Sequence, residues 1–239
     1  MSLEEVKARL ARAALLLDFD GTLSPIVVRS EEARPVDGAE EVLAGLVERA
    51  GSVTIVTGRR SGFIRSVLRV DGLEVIGQFG MEDSPGLHPE VLAEVNAVVG
   101  GEQGVRVVDK SASIAVHVRT TPDPDAATTR IAGPLTAIAE RYGLDVLPGK
   151  RVLELAPKGS SKAAVVAEVV ARTGAQAALY AGDDLNDEPA FDALEALAKD
   201  GIAICRIAVV GGETPEELIA KADLTVAGPQ ELLALLRAL

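Results

Sequence analysis

The run Leu15-Leu16-Leu17-Asp18-Phe19-Asp20-Gly21 drives an unbroken apolar segment straight into two carboxylates one residue apart. A short continuous apolar run reads as a strand covered on both faces, the condition met in a parallel sheet flanked by helices. Gly21 ends it. Ligands of open parallel sheets gather just beyond the carboxyl ends of the strands, where Asp18 and Asp20 fall. Alternation along the strand sends both carboxylates to one side of the backbone. Their repulsion then calls for a cation between them, most simply a divalent metal.

The segments that follow extend the theme. Residues 36–50 have helical apolar spacing, 52–56 form a β-branched run, 61–70 are again helical and 73–76 again extended. The rhythm returns late as a helix over 161–172, a strand over 177–181, a helix over 187–199, a strand over 201–205 and a last helix from Pro229. This alternation predicts an α/β fold, a doubly wound parallel sheet of Rossmann-like type with right-handed crossovers.

Residues 81–156 read differently. A helix after Pro89 precedes extended segments over 105–108 and 113–119, a helix spans 124–142, and extended segments over 144–147 and 151–155 flank Pro148-Gly149-Lys150. Such short links favour antiparallel pairing. The expected organisation is a discontinuous core, residues 1–80 and 157–239, carrying an inserted α+β cap over 81–156.

Composition narrows the partners. With 36 acidic and 24 basic side chains the net charge is -12, which disfavours nucleic acid and anionic membrane. Tryptophan is absent and aromatic residues make up 3% of the chain, so a sugar would have to be held by polar and charged groups rather than on ring faces. The apolar runs are too short to cross a bilayer and residues 1–14 lack an apolar signal core, so the expected location is cytoplasmic. Cys205, the single cysteine, lies in an apolar run and reads as a small core residue.

A second apolar strand, Ala177 to Ala181, ends in Gly182-Asp183-Asp184-Leu185-Asn186-Asp187-Glu188. If it neighbours the first, several carboxylates share one cleft, a cluster stable only around a cation. Oxygen donors without nearby Cys or His select a hard ion, and the small number of carboxylates suits Mg²⁺ better than a full Ca²⁺ cage. Two further signals suit a phosphate. Thr57-Gly58-Arg59 follows a strand with a hydroxyl and a glycine, and Lys162 opens a helix after Lys158-Gly159-Ser160-Ser161. Together these supply a nucleophile, a metal, a hydroxyl donor and a fixed cation, the parts that phosphoryl transfer requires.

Asp18-Phe19-Asp20-Gly21-Thr22, Thr57, Lys162 and Gly182-Asp183-Asp184-Leu185-Asn186-Asp187 together resemble the four motifs of the haloacid dehalogenase superfamily of phosphatases, in order and in spacing. The insert lies between the second and third motifs, which resembles the α/β-capped branch acting mainly on sugar phosphates. Arg34-Pro35, Thr57-Gly58-Arg59, His117-Val118-Arg119, Pro148-Gly149-Lys150, Glu154-Leu155 and Asp187-Glu188 resemble the trehalose-phosphate phosphatases in particular. The chain departs from that pattern at Gly77-Gln78-Phe79-Gly80, where the family has Gly-x-His-Gly, at Ala156 and at Asn186.

The resemblance implies that Asp18 attacks phosphorus and forms an aspartyl-phosphate, while Asp20 protonates the leaving oxygen and later activates water. It implies that Asp18, the Asp20 carbonyl and Asp183 hold Mg²⁺, that Thr57 and Lys162 fix phosphoryl oxygens, and that Asp184 and Asp187 orient metal-bound waters and Lys162. The substrate contacts expected are Arg59, His117, Arg119, Lys150, Glu154 and Asn186, with the cap excluding water when closed. Three readings stay open at this level: a trehalose-phosphate phosphatase, a capped phosphatase for another sugar phosphate, and a non-catalytic sugar-phosphate sensor.

Overall fold

The computed structural model describes residues 2–239, which form two compact units, one from residues 2–80 with 161–239 and one from residues 81–160. The first unit opens with α1 (Leu3–Ala8), β1 (Ala13–Leu17), α2 (Ala39–Arg49), β2 (Ser52–Val56), α3 (Ser61–Val67) and β3 (Glu74–Ile76). The second contains α4 (Pro89–Val99), β4 (Arg106–Asp109), β5 (Ile114–His117), α5 (Pro124–Tyr142), β6 (Leu144–Gly149) and β7 (Val152–Pro157). The first then resumes with α6 (Lys162–Thr173), β8 (Ala177–Gly182), α7 (Glu188–Lys199), β9 (Ala203–Val209), α8 (Glu216–Lys221), β10 (Leu224–Val226) and α9 (Gly228–Arg237).

Six parallel strands build the first unit in the order β10-β9-β8-β1-β2-β3. All five residues of β1 are buried, because helices cover both faces of the sheet. Leu15 and Leu17 join Leu43 and Leu46 of α2 and Leu232 and Leu236 of α9 on one face. Ala14 and Leu16 join Val166 and Val169 of α6 and Phe191 and Leu194 of α7 on the other. Burying each such leucine contributes roughly 2 kcal/mol, so an unbroken apolar strand is stable only in this central place. β1 leads through α2 to β2 on one side, whereas β8 leads through α7 to β9 on the other. The order therefore reverses between β1 and β8, and a crevice opens at their carboxyl ends.

The second unit is an antiparallel sheet, β4-β5-β7-β6. Ile114, Val116, Leu153 and Leu155 pack against Val95, Ile131, Leu135 and Ile138 of the two helices. Alternation turns His117 and Glu154 to the sheet face opposite those helices. Asp123 caps α5 by accepting from the Ala126 N–H at 3.0 Å, and Gly143, at φ 67°, ends it.

Several boundaries differ from the sequence-based ones. β9 continues past 205 to Val209, because Arg206 stays in the strand with its guanidinium paired to Asp223 at 3.0 Å. The short β10 and α8 were not anticipated; β10 is defined by pairing with β9. The second unit runs to 160 rather than 156, since β7 extends through Pro157 and Ser160 bonds back to it. No helix among the described residues is long and apolar enough to cross a membrane.

Cys205 is fully buried in β9, and burial, with Asp223 adding to it, pushes its thiol up to about 12. At pH 8 the native protein is therefore expected to react with a thiol reagent at least about 100-fold more slowly than in denaturing urea, because the thiolate is scarce and shielded. Comparable rates in the two conditions would contradict this packing.

Candidate active site

Register places the tips of three strands side by side: Leu17 lies opposite Ala181 of β8 and Ile55 of β2. Asp18, Asp183 and Thr57 follow from these ends. The Asp18 N–H donates to the Ala181 carbonyl at 2.9 Å, which carries the β1–β8 pairing one residue further and fixes the backbone of Asp18.

Lys162, at the start of α6 after the Ser161 cap, is 2% exposed and lies 2.8 Å from Asp18 Oδ1 and 2.6 Å from Asp187 Oδ1. Asp187 has its carboxylate saturated. Besides Lys162, the Tyr180 hydroxyl donates to Oδ1 at 2.7 Å, and the N–H groups of Asp183 and Asp184 donate to Oδ2 at 2.9 and 3.0 Å. A carboxylate offers about four acceptor sites, so Asp187 is occupied in holding this corner together. Its proximity to Gly182 requires that glycine, since a Cβ there would overlap the Asp187 carboxyl.

The electrostatics follow from burial. Desolvation pushes the Asp18 carboxyl well above the usual range; Lys162 opposes the shift, while Asp187 and Asp183 add to it. For Lys162 burial works against the charge, but Asp18 and Asp187 more than offset it and hold the ammonium above its ordinary range. Burial, then Asp187, raises the Tyr180 hydroxyl, which stays a donor.

Oxygens of Asp18, Asp183 and Asp187 lie within 4.8 Å of one another. With all three ionised, three carboxylates against one ammonium would leave two negative charges, which one divalent cation would balance. With Asp187 saturated, Asp18 and Asp183 are the side chains suited to hold it, and the all-oxygen donor set fits a hard ion such as Mg²⁺. Gly21, at φ 81°, makes room: a Cβ there would overlap the Asp183 carboxylate. Asp184, by contrast, accepts from the Leu185 N–H at 2.7 Å and from the Asn186 amide at 3.4 Å, and so caps the turn leading into α7. Asn186 sits in that turn with its Oδ1 buried.

Thr57 is buried at the end of β2, and its Oγ1 accepts from the Arg59 N–H at 3.1 Å. This leaves the hydroxyl proton to donate elsewhere. Arg59, expected from sequence to contact substrate, pairs with Asp20. Its Nε and Nη2 donate to the two Asp20 carboxylate oxygens at 2.6 and 2.7 Å, and Nη1 donates to the Ser30 carbonyl at 2.6 Å.

In the second unit the carboxylate of Glu154, 6% exposed, accepts from Lys110 at 2.8 and 2.9 Å and from the Ser113 hydroxyl at 2.5 Å. Arg119 donates to the Lys150 carbonyl at 3.3 Å, and His117 is half-buried in β5. Sequence reasoning missed Lys110 and Tyr180. A carboxylate between Leu153 and Leu155 on a strand was a signal that a cation must face it, but nothing local to Lys110 identified which. A tyrosine in the otherwise small apolar run of β8 was a comparable sign of a buried hydroxyl needing an acceptor.

Acids at adjacent strand tips of a doubly wound sheet, joined by a buried lysine and accompanied by an inserted antiparallel unit, define a fold of the haloacid dehalogenase type. A haloacid dehalogenase-like hydrolase from Bacteroides thetaiotaomicron shares the fold, with a TM-score of 0.58 at 16% identity over 95% of this chain and 98% of that one. Within this class the chain belongs to the trehalose-phosphatase family, whose model matches residues 16–86 and 86–223. The trehalose-phosphate phosphatase of Mycobacterium avium is 33% identical over 216 residues, 80% of this chain and 54% of that protein. A protein described as an uncharacterized glycosyl hydrolase of Mycobacterium tuberculosis is 34% identical over 206 residues, 77% of this chain but 15% of its own length. The chain thus spans about half or less of these relatives. The C-terminal domain of Candida albicans trehalose-6-phosphate phosphatase superposes with a TM-score of 0.80 at 22% identity, over 98% of this chain and 95% of that one.

Tyr180→Phe keeps the ring and removes one donor from a buried carboxylate. Urea unfolding is expected to show a loss of about 1–2 kcal/mol; an unchanged midpoint would mean that the hydroxyl contributes nothing to holding Asp187.

Proposed function

We propose that this chain is a Mg²⁺-dependent phosphatase that hydrolyses trehalose 6-phosphate through an aspartyl-phosphate on Asp18. The reading is carried above all by the buried Lys162 bridging Asp18 and Asp187 beside Asp183, and membership of the trehalose-phosphatase family supports the substrate.

Asp18 Oδ attacks phosphorus in line with the sugar oxygen, the phosphorus–oxygen bond to the sugar breaks, and Asp20 gives its proton to the departing alkoxide. Asp20 then takes a proton from water, which attacks the same phosphorus and releases inorganic phosphate with Asp18 restored as carboxylate. Lys162 keeps Asp18 oriented and donates to phosphoryl oxygens, and the free proton of Thr57 serves another. A Mg²⁺ held by Asp18, Asp183 and the Asp20 carbonyl supplies, when bound, the positive charge that favours ionised Asp18 and offsets the phosphate's own charge. Asp187 acts through Lys162, and Asp184 through the turn that carries Asn186.

Sugar recognition is assigned to the second unit: Glu154 as hydroxyl acceptor, and Lys110, His117, Arg119 and Lys150 as donors. A second reading, a capped phosphatase for a different sugar phosphate, is favoured by Gln78-Phe79 and Asn186, where the chain departs from the pattern of the trehalose-phosphate enzymes.

Phosphate release from a panel of mono- and disaccharide phosphates, with Mg²⁺ and with EDTA, decides among these readings. Trehalose 6-phosphate is expected to give the highest kcat/KM, and EDTA or Asp18→Asn to lower it by about 1,000-fold or more. A higher kcat/KM on another sugar phosphate would move the assignment to the second reading, and no turnover of any would leave the sugar-phosphate sensor. Glu154→Gln is expected to raise KM for the preferred sugar phosphate about tenfold while leaving p-nitrophenyl phosphate nearly unchanged. Equal effects on both would remove Glu154 from sugar recognition.

A further inference from the structure

Arg59 is fixed at more points than a surface charge requires. Its backbone is pinned on both sides: the N–H donates to Thr57 Oγ1 at 3.1 Å, and the carbonyl accepts from the Gln78 N–H at 2.9 Å. The turn that supplies this second bond holds Gln78 and Phe79 at φ 48° and 53°, and the Phe79 N–H closes it on the Thr57 carbonyl at 3.1 Å. Backbone held in the left-handed region by non-glycine residues costs free energy, and it persists only where the surroundings impose it.

The guanidinium is fixed as well. It lies 4.4 Å from the ring centroid of Phe63 and 5.8 Å from that of Phe19, and the two rings meet edge to face. Nη1 is tied to the Ser30 carbonyl at 2.6 Å. That leaves Nε and Nη2 as a rigid fork, and both tines reach the Asp20 carboxylate. Asp20 is otherwise a partly exposed side chain beside a turn.

We propose that Arg59 is a positioning residue for Asp20: the stacked fork sets the plane and direction of the carboxyl group that exchanges a proton with the leaving oxygen. The inference rests on the role given to Asp20 under the proposed function. A planar fork can fix both rotations of a carboxyl group, whereas a lysine ammonium in the same place supplies the charge without the direction. Arg59 engaged in this way is not a contact for the phosphate or the sugar, and the three roles have different kinetic signatures.

The experiment measures kcat/KM for a series of aryl phosphates, from 2,4-dinitrophenyl phosphate, whose leaving group needs no proton, to phenyl phosphate, whose leaving group does. The enzymes compared are wild type, Arg59→Lys, Asp20→Asn and the double variant. With Arg59→Lys, phenyl phosphate is expected to lose about 30-fold or more while the dinitrophenyl ester stays within about threefold, so the dependence on leaving group steepens. In the Asp20→Asn background the same substitution should add nothing further, the non-additivity expected of two residues acting as one.

A uniform loss across the series would make Arg59 a phosphate contact and overturn the proposal. An unchanged aryl series with a loss confined to the sugar phosphate would make it a sugar contact, with the same consequence. If Arg59→Lys folds poorly, Phe63→Leu, which keeps the ion pair but removes the ring beneath it, should steepen the dependence in the same direction; parallel lines would again overturn the idea. An inactive wild-type enzyme across the whole series would instead strike at the proposed function itself.

Discussion

One buried contact sets the rest of this molecule: an ammonium, Lys162, held between two carboxylates at the junction of adjacent strands. Bringing Asp18, Asp183 and Asp187 out of water together is unfavourable, and a single lysine does not balance them. The cluster is held by the four donors given to Asp187, and the charge left over has the size and sign that a divalent ion would balance. A buried pair of this kind contributes little to stability on its own, but losing one partner leaves a charge without compensation. It is better understood as a device for direction, holding Asp18 at the end of β1, where burial raises its carboxyl well above the ordinary range.

The sheet serves that contact. Because β1 is covered on both faces it can be all apolar, and because its neighbours are β2 and β8 the residues after three strands converge on one crevice. Small residues matter as much as large ones. Gly21 and Gly182 leave space that Asp183 and Asp187 fill, so the two acidic side chains pack directly on backbone. The 3₁₀ turn at Leu185–Asp187 lets Asp184 cap its own segment while Asp187 turns back toward β8. The same economy appears around Asp20, where Arg59 is restrained by two rings, a carbonyl and a strained turn.

Legibility in the sequence followed from how local each signal was. The all-apolar runs ending in acids at Asp18 and Asp183 read directly as central strands, and the helix over 124–142 agrees with α5, which the structure shows capped by Asp123 and ended by Gly143. β9 was cut short because Arg206 looked like the end of an apolar run, when its charge is met by Asp223 from a later segment. β10 has only three residues, and nothing in Leu224-Thr225-Val226 marks it until β9 lies alongside. The pairing of Arg59 with Asp20 was not legible, because Asp20 lies 39 residues earlier and no periodic rule connects them.

The sequence by itself determined which segments must be buried, where each apolar run ends and which residue types wait there, because burial and backbone geometry act over a few residues. It was enough to assign a doubly wound α/β core with an inserted unit and to single out the acids and the lysine. Tertiary structure alone decided the pairings that no motif announced: that Tyr180 completes Asp187, that Arg59 grips Asp20 and that Lys110 faces Glu154, whereas the meeting of Lys162 with Asp187 was already implied by the resemblance. Apart from Tyr180 with Asp187, seven residues on, those are contacts between side chains distant along the chain. Their distances depend on how strands are ordered and helices packed, and charge and hydrogen-bond energies vary steeply with those distances.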